Sequence, residues 1–128
     1  MLLASKQSTT KQLGKAGERA VGTWLQQRGF TILCYNYRSK IGEIDIIAQH
    51  NTILAFVEVK ARTVTYFNSS ELIIASKQKK IIQTAQKFCF EKNITDKIYR
   101  FDVALVQPRN DSFDITYIPN AFTKNHDY

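Results

Sequence analysis

A short polar break between two apolar runs constrains this fold more than any other feature of the sequence. Residues 49–52 separate the runs 42–48 and 53–61, both of which are rich in β-branched side chains. Strands joined by so few residues pair as an antiparallel hairpin, because a parallel connection needs a crossover of about a dozen residues or more. The sequence therefore predicts two adjacent antiparallel strands near the middle of the chain.

Apolar periodicity predicts a helix on each side of these strands in the sequence. Residues 12–28 carry apolar side chains at three-and-four spacing, and Gly29 follows as a C-terminal cap. A second helix is predicted from residue 71 to about residue 92, with Ser69 or Ser70 as its N-cap. Further strands are predicted at 30–37, 98–106 and 113–118, with a turn-rich segment at 107–112, a frayed start up to residue 11 and a loose tail after Pro119.

The order helix, three strands, helix, two strands predicts an α/β fold with a mixed central sheet flanked by helices. The 128 residues are expected to form one domain with its core at about 12–118, large enough to fold without disulfides or a structural metal.

Cys34 and Cys89 have no CxxC spacing and no histidine near them in sequence, so free thiols are expected rather than a zinc site.

Charge and hydropathy limit the classes of function. No apolar window approaches the roughly 20 residues of a membrane span, and the N-terminus lacks the core of a signal peptide, so a cytoplasmic protein without a membrane partner is expected. Lys and Arg number 18 against 11 Asp and Glu, a net charge of +7. This charge attracts polyanions and makes nucleic acid the expected partner, although a basic excess that only aids solubility remains an alternative.

Acidic residues interrupt both central strands where the pattern otherwise requires burial. Regular alternation predicts that Asp45 points away from Ile44 and Ile46, and that Glu58 and Lys60 share one face of the third strand. The hairpin register then brings Asp45 near Val57 and Glu58, and a bend or a one-residue bulge settles the exact pairing. Two carboxylates and an ammonium are therefore expected to converge on one half-buried patch.

Such a patch suits Mg²⁺ or Mn²⁺, because buried charges are costly unless they are paired or hold a metal. Asp45 and Glu58 would hold the cation, which polarises a scissile phosphate and lowers the pKa of an attacking water. Lys60 would steady the developing negative charge or orient that water. The alternative is that Asp45 and Glu58 are salt-bridge partners of Lys60 on a solvated face of the sheet.

A third carboxylate lies on the apolar side of the first helix. Glu18 precedes Val21 and Leu25 by three and seven residues, so it is expected to point towards the sheet or a cleft and to join the metal site. An acid in this position can also simply be favourable to the helix dipole.

Basic residues in segments that flank the carboxylates could follow a phosphate backbone, although each is also consistent with a solvated charge. They are Lys15, Arg19, Arg38, Lys40, Arg62, Lys77 and Lys80. Glu43 is expected either to pair with Arg38 or Lys40 or to act as an outer ligand, and Asp102 to be structural, with a helix end as a candidate partner. Because no helix-turn-helix, finger or RNP-type pattern occurs, structure-selective or non-specific binding is expected.

Four groups of residues carry a family resemblance over most of the chain. They are Gly14-Lys15-Ala16-Gly17-Glu18; Asn36 and Arg38 ahead of Gly42-Glu43-Ile44-Asp45-Ile46-Ile47-Ala48; Phe56-Val57-Glu58-Val59-Lys60-Ala61-Arg62; and Arg100-Phe101-Asp102-Val103. On these residues the chain resembles the YraN family of uncharacterised bacterial proteins, in the PD-(D/E)XK nuclease-like superfamily, and it is similar to archaeal Holliday-junction resolvases. The second-strand motif lacks the literal Pro-Asp pair, since Ile44 precedes Asp45.

The resemblance implies a restriction-endonuclease-like αβββαβ core in which Glu18, Asp45, Glu58 and Lys60 form a divalent-metal nuclease site. It also implies a homodimer, by analogy with the dimeric junction resolvases. The expected function is metal-dependent hydrolysis of phosphodiester bonds in DNA rather than RNA, with branched or damaged DNA as candidate substrates. The alternatives are a non-catalytic nucleic-acid-binding module and an interaction protein on a nuclease-like scaffold.

Overall fold

The computed structural model describes residues 10–61 and 73–124. Within these ranges, helices and strands follow one another in the predicted order. They are α1 (Thr10–Gln27), β1 (Thr31–Arg38), β2 (Glu43–His50), β3 (Ile53–Ala61), α2 (Ala75–Glu91), β4 (Ile98–Arg109) and β5 (Ser112–Phe122).

The strands of the described residues form one five-stranded sheet in the order β1-β2-β3-β4-β5. β3 and β4 are parallel, and the other neighbouring pairs are antiparallel. The connection from β3 to β4 contains α2, as a parallel pair requires. The predicted fold class is therefore confirmed: a mixed α/β structure, consistent with a restriction-endonuclease-like core.

The two helices cover opposite faces of this sheet. Leu25 of α1 packs in one buried cluster with Val57, and Phe88 of α2 packs in the other with Phe56. Adjacent residues of β3 thus serve different faces, as alternation requires. Burying each such large apolar side chain contributes about 1.5–3 kcal/mol to the free energy of folding. Packing on both faces therefore stabilises the centre of β3.

The first helix ends as its sequence predicts. Gly29 has a φ of 93°, and its amide donates to the carbonyl of Gln26 at 3.1 Å. The amide of Phe30 donates to the carbonyl of Leu25 at 3.0 Å. These two bonds form a Schellman motif, which glycine stabilises because it adopts a positive φ without a Cβ clash.

Several boundaries differ from the predictions. The β2–β3 turn contains only Asn51 and Thr52, since residues 49 and 50 already pair with β3. The helix predicted from residue 71 begins at Ala75, with Ile74 at the N-cap position and no side-chain cap bond. Ser69 and Ser70 lie outside the described residues.

The prediction of a loose tail after Pro119 is wrong for residues 120–122, and residues 125–128 lie outside the described residues. β5 continues to Phe122, which is buried and stacks on Phe101 with ring centroids 5.3 Å apart. The predicted segment 107–112 is likewise shorter, because β4 and β5 remain paired up to Arg109 and Ser112. Aromatic packing therefore orders residues whose local sequence looks irregular.

Regular alternation fails in β2 beside Asp45, contrary to the sequence prediction. Ile44 packs in the cluster on the α2 face, whereas Ile46 packs in the cluster on the α1 face. Asn36 of β1 lies between the pairs Tyr35–Ile46 and Tyr37–Ile44, which places it opposite Asp45, and it has a φ of 55°. A left-handed residue twists the strand locally and re-aims its neighbours. The prediction that Ile44 and Ile46 share a face is therefore wrong.

In the described part of the chain, no helix is long and apolar enough to cross a membrane. Cys34 and Cys89 are free thiols, as predicted.

Candidate active site

Asp45 is a buried carboxylate at the point where β2 leaves β3. It retains 8% of its accessible surface. The paired ladder ends at Ile46 and Val57, and the same register, continued by one residue, sets Asp45 beside Glu58. Its Oδ2 accepts a hydrogen bond from the backbone N–H of Val59 at 2.8 Å. A side chain thus substitutes for a backbone acceptor at the end of the ladder.

The surroundings of Asp45 favour its neutral form. Burial and nearby negative charges raise the pKa of Asp45 to about 7, with loss of hydration as the largest cause and the charge of Glu58 as the second. Glu18 and Glu43 contribute in the same direction, while the N–H of Val59 acts in the opposite one. A carboxylate in these surroundings is stabilised by a nearby cation.

Glu58 already has such a cation. It retains 8% of its accessible surface, and its Oε2 lies 2.7 Å from Nζ of Lys77, in the first turn of α2. The hydrogen bond to Glu58 is the largest cause of a raised pKa of Lys77. The pair follows the rule that a buried charge needs a partner.

Lys60 follows Glu58 by two residues on β3, is half-buried and lies opposite Leu105 of β4. Among the residues described, no ion pair includes Lys60. The alternative in which both carboxylates pair with Lys60 on a solvated face is therefore wrong, since the carboxylates are buried and Glu58 pairs with Lys77.

Glu18 is linked to the sheet near Asp45. Its Oε1 accepts a hydrogen bond at 3.1 Å from Nδ2 of Asn36, the residue that lies opposite Asp45 in the β1–β2 register. Glu18 is half-buried, and its charge contributes to the raised pKa of Asp45. The first helix thus presents an acid to the same region of the sheet.

The carboxylates of this region offer the oxygen donors that a hard divalent cation prefers. Within residues 10–61 and 73–124, no group of three or more His, Cys, Asp or Glu side chains is arranged to hold a metal ion. Asp45 and Glu58 provide two buried oxygen donors, and Lys77 shows that this position accepts positive charge. Mg²⁺ is commonly held by one or two carboxylates, with waters and substrate phosphates completing its shell. The carboxylate pair therefore fits a hard divalent cation.

The basic residues predicted to contact phosphate have different surroundings. Arg38 pairs with Glu43 at 3.5 Å, which is the surface pairing expected for Glu43. The guanidinium of Arg19 lies 4.0 Å from the centroid of the Tyr35 ring. All described members of the set are exposed: Lys15, Arg19, Arg38, Lys40, Lys77 and Lys80. Arg62 lies outside the described residues.

A third buried carboxylate, Asp102, has protein donors as hydrogen-bond partners. It accepts hydrogen bonds from Nε of Arg100 at 2.9 Å, the hydroxyl of Tyr117 at 2.5 Å and the backbone N–H of Asn120 at 2.9 Å. The predicted structural role is confirmed. The helix end suggested as its partner is wrong, because all three donors belong to β4 and β5.

Two residues of this region were not given their roles by sequence reasoning. Lys77 is predicted above only as a phosphate contact, because its meeting with Glu58 depends on where α2 packs. Asn36 received no role, although a polar residue between Tyr35 and Tyr37 in a β-rich run is a signal that something local interrupts the strand.

Comparison with known proteins adds a family relationship. Residues 17–106 match the model of the uncharacterised protein family UPF0102. A UPF0102 protein of Desulfosudis oleivorans is 44% identical over 90% of this chain and 93% of its own length. Similar proteins of Alkaliphilus metalliredigens and Clostridium acetobutylicum are 41% and 39% identical, each over 88% of this chain and over 99% and 94% of their own lengths.

Proposed function

The chain belongs to the UPF0102 family, the YraN group that its motifs resemble, and we propose that it is a divalent-metal-dependent endonuclease acting on DNA. The observation that carries the proposal is the buried pair Asp45 and Glu58, which lie next to each other at the end of the β2–β3 ladder. Proteins seldom bury two neighbouring acids without a functional reason, because each must lose its hydration.

Each residue has a role in this proposal. Asp45 and Glu58 hold Mg²⁺ or Mn²⁺, with Glu18 as a third acid that acts directly or through a bound water. The cation, when bound, polarises the scissile phosphate and lowers the pKa of a water. Lys60, which follows Glu58 on the same strand, steadies the negative charge that develops on the phosphate or orients the attacking water.

Charge supports a polyanionic substrate. The net charge of +7 draws nucleic acid towards the protein, and the exposed Lys15, Lys40 and Lys80 are available for phosphate contacts. DNA is preferred over RNA in this proposal because of the resemblance to junction resolvases, and branched or damaged DNA is the candidate structure. The protein would meet such DNA in the cytoplasm.

The proposal is tested by incubating the purified full chain with plasmid, linear and branched DNA in Mg²⁺ or Mn²⁺. Wild type is expected to cut at least one substrate, and Asp45→Asn to lose roughly 100-fold or more of that activity. Asp114→Asn is the matched control, because Asp114 is an exposed acid that pairs with Arg109. Equal inertness, or equal activity, of wild type and Asp45→Asn on every substrate and metal would refute the proposal.

The resemblance to junction resolvases also supports a homodimer, in which two copies cut opposite strands. Sedimentation of the full chain at high concentration tests this part separately. A single monomeric species across the concentration range would remove it without affecting the proposed chemistry.

A non-catalytic nucleic-acid-binding module is the second candidate. The observation that favours it is the existing ion pair between Glu58 and Lys77, which balances one of the two acids without a metal. In this case, salt-dependent DNA binding would be equal with and without a chelator, and Glu58→Gln would leave it unchanged.

A further inference from the structure

The ion pair between Lys77 and Glu58 is asymmetric. The side chain of Glu58 is 10% exposed and that of Lys77 is 52% exposed, while their charged atoms lie 2.7 Å apart. The carboxylate is thus fixed in the sheet, whereas the ammonium reaches it from the solvent side on a flexible stem. The ammonium of Lys77 can therefore move away into solvent, while the carboxylate of Glu58 stays in place.

We propose that Lys77 occupies, in the free protein, the position at Glu58 that a divalent cation takes over, so that metal binding replaces the ammonium with a doubly charged ion. This inference rests on the proposed function, because it takes Asp45 and Glu58 as metal ligands. An ammonium in contact with Oε2 would repel a divalent ion on the same carboxylate, so each cation weakens the binding of the other. No covalent bond changes in this exchange, and the ammonium keeps its proton.

The exchange makes Lys77 a determinant of metal affinity. The free protein must break the Lys77–Glu58 pair before Glu58 can bind the metal, so its affinity is lower than the carboxylates alone would give. A phosphate backbone near α2 offers the released ammonium a new anionic partner. Metal and polyanion would then strengthen each other's binding, and this coupling is reciprocal.

Calorimetric titration of the full chain with Mn²⁺ tests the exchange without reference to activity. Lys77→Met is expected to bind Mn²⁺ about fivefold more tightly than wild type, the change that loss of a competing ion pair with one exposed partner would give. Lys79→Met is the matched control, because it removes the same charge from an exposed neighbouring position of α2 and makes no described contact with Glu58. Its affinity is expected to stay within about twofold of wild type.

Lys77→Gln, which keeps polarity at the position, provides a second variant if the methionine disturbs folding. Mere structural damage would weaken metal binding, whereas the exchange predicts that binding tightens. Wild-type binding that Asp45→Asn abolishes, with Lys77→Met and Lys79→Met indistinguishable, would overturn this inference and leave the metal site intact. If neither wild type nor any variant binds Mn²⁺, both the inference and the proposed function fail.

Discussion

The carboxylate of Asp45 accepts a hydrogen bond from the backbone N–H of Val59 on the neighbouring strand at 2.8 Å. This contact lies just beyond the last ladder pair, Ile46 and Val57, where the two strands part. It fixes the direction of a carboxylate that burial makes difficult to ionise. The side chain of Asp45 is therefore both a part of the sheet and a candidate metal ligand. Its negative charge is expected to lower the stability of the metal-free protein and to favour metal binding, and each effect can be measured separately.

Replacing Asp45 with Asn is expected to make the metal-free protein more stable at pH 8. The pKa of Asp45 in the folded protein, about 7, lies above the ordinary value of 3.8. Wild type therefore has its full free energy of unfolding below about pH 4, where Asp45 is neutral in both the folded and the unfolded state. This free energy falls as the pH rises to about 7, because the unfolded state releases the proton more readily than the folded state does. At about 1.4 kcal/mol per pKa unit, the difference at pH 8 is on the order of a few kcal/mol.

Urea unfolding of wild type and Asp45→Asn in the presence of a chelator measures this difference. The gain of the variant should grow between about pH 4 and 7 and stay constant above that range. The amide oxygen of Asn can still accept from Val59, so the backbone contact is preserved. A variant less stable than wild type at pH 8 would contradict the prediction.

Divalent metal is expected to stabilise wild type and not Asp45→Asn. A ligand that binds only the folded state at about 100 times its dissociation constant adds roughly 2.7 kcal/mol. Thermal unfolding with increasing Mg²⁺ or Mn²⁺ should therefore raise the midpoint of wild type by several degrees, an effect that a chelator reverses. An equal rise of the unfolding midpoint in wild type and Asp45→Asn would show that the metal binds at a site other than Asp45.

Local sequence patterns predicted most of the fold. The spacing around Val21 and Leu25 predicted α1, Gly29 predicted its end, and the polar break at residues 49–52 predicted the hairpin. These features depend on residues close in sequence, so one chain is sufficient to recognise them. They also predicted that Asp45 would lie near Val57 and Glu58, because positions equidistant from the turn face each other.

The remaining features depend on contacts between distant segments. The loss of alternation at Asp45 occurs beside Asn36 of β1, which has a positive φ, and the partner of Glu58 depends on where α2 packs. Phe122 is ordered by stacking on Phe101, which is 21 residues earlier in the sequence. Tertiary packing overrides local propensity in each case, and no local pattern records it.

Gly22 on α1 is predicted to favour the close contact between α1 and Tyr35 of β1. A Cβ at this position would lie 2.0 Å from the hydroxyl oxygen of Tyr35 and 2.9 Å from Cζ of the same ring. Gly22→Ala should therefore destabilise the protein by about 1–3 kcal/mol, because α1 or the ring must shift. Guanidinium unfolding provides the measurement.

Gly14→Ala provides the matched control on the same helix. A Cβ at Gly14 would meet nothing within 4 Å, so the alanine should stabilise the helix by about 0.5–1 kcal/mol. Similar effects of the two substitutions would show that helix propensity, and not contact with Tyr35, decides the outcome.

Asp102 is predicted to affect stability but not catalysis. Asp102→Asn removes the charge that pairs with Arg100 and turns one of its acceptor oxygens into a donor, which leaves donors from Arg100, Tyr117 or Asn120 without an acceptor. Breaking one side of a buried pair costs about 3–5 kcal/mol, whereas Asp114→Asn at an exposed pair should cost less than about 1 kcal/mol. Chemical unfolding of both variants measures these costs, and metal binding by the folded fraction of Asp102→Asn should equal that of wild type. If the folded variant instead loses metal binding, the network around Asp102 belongs to the metal site. The assignment of a purely structural role to Asp102 would then be wrong.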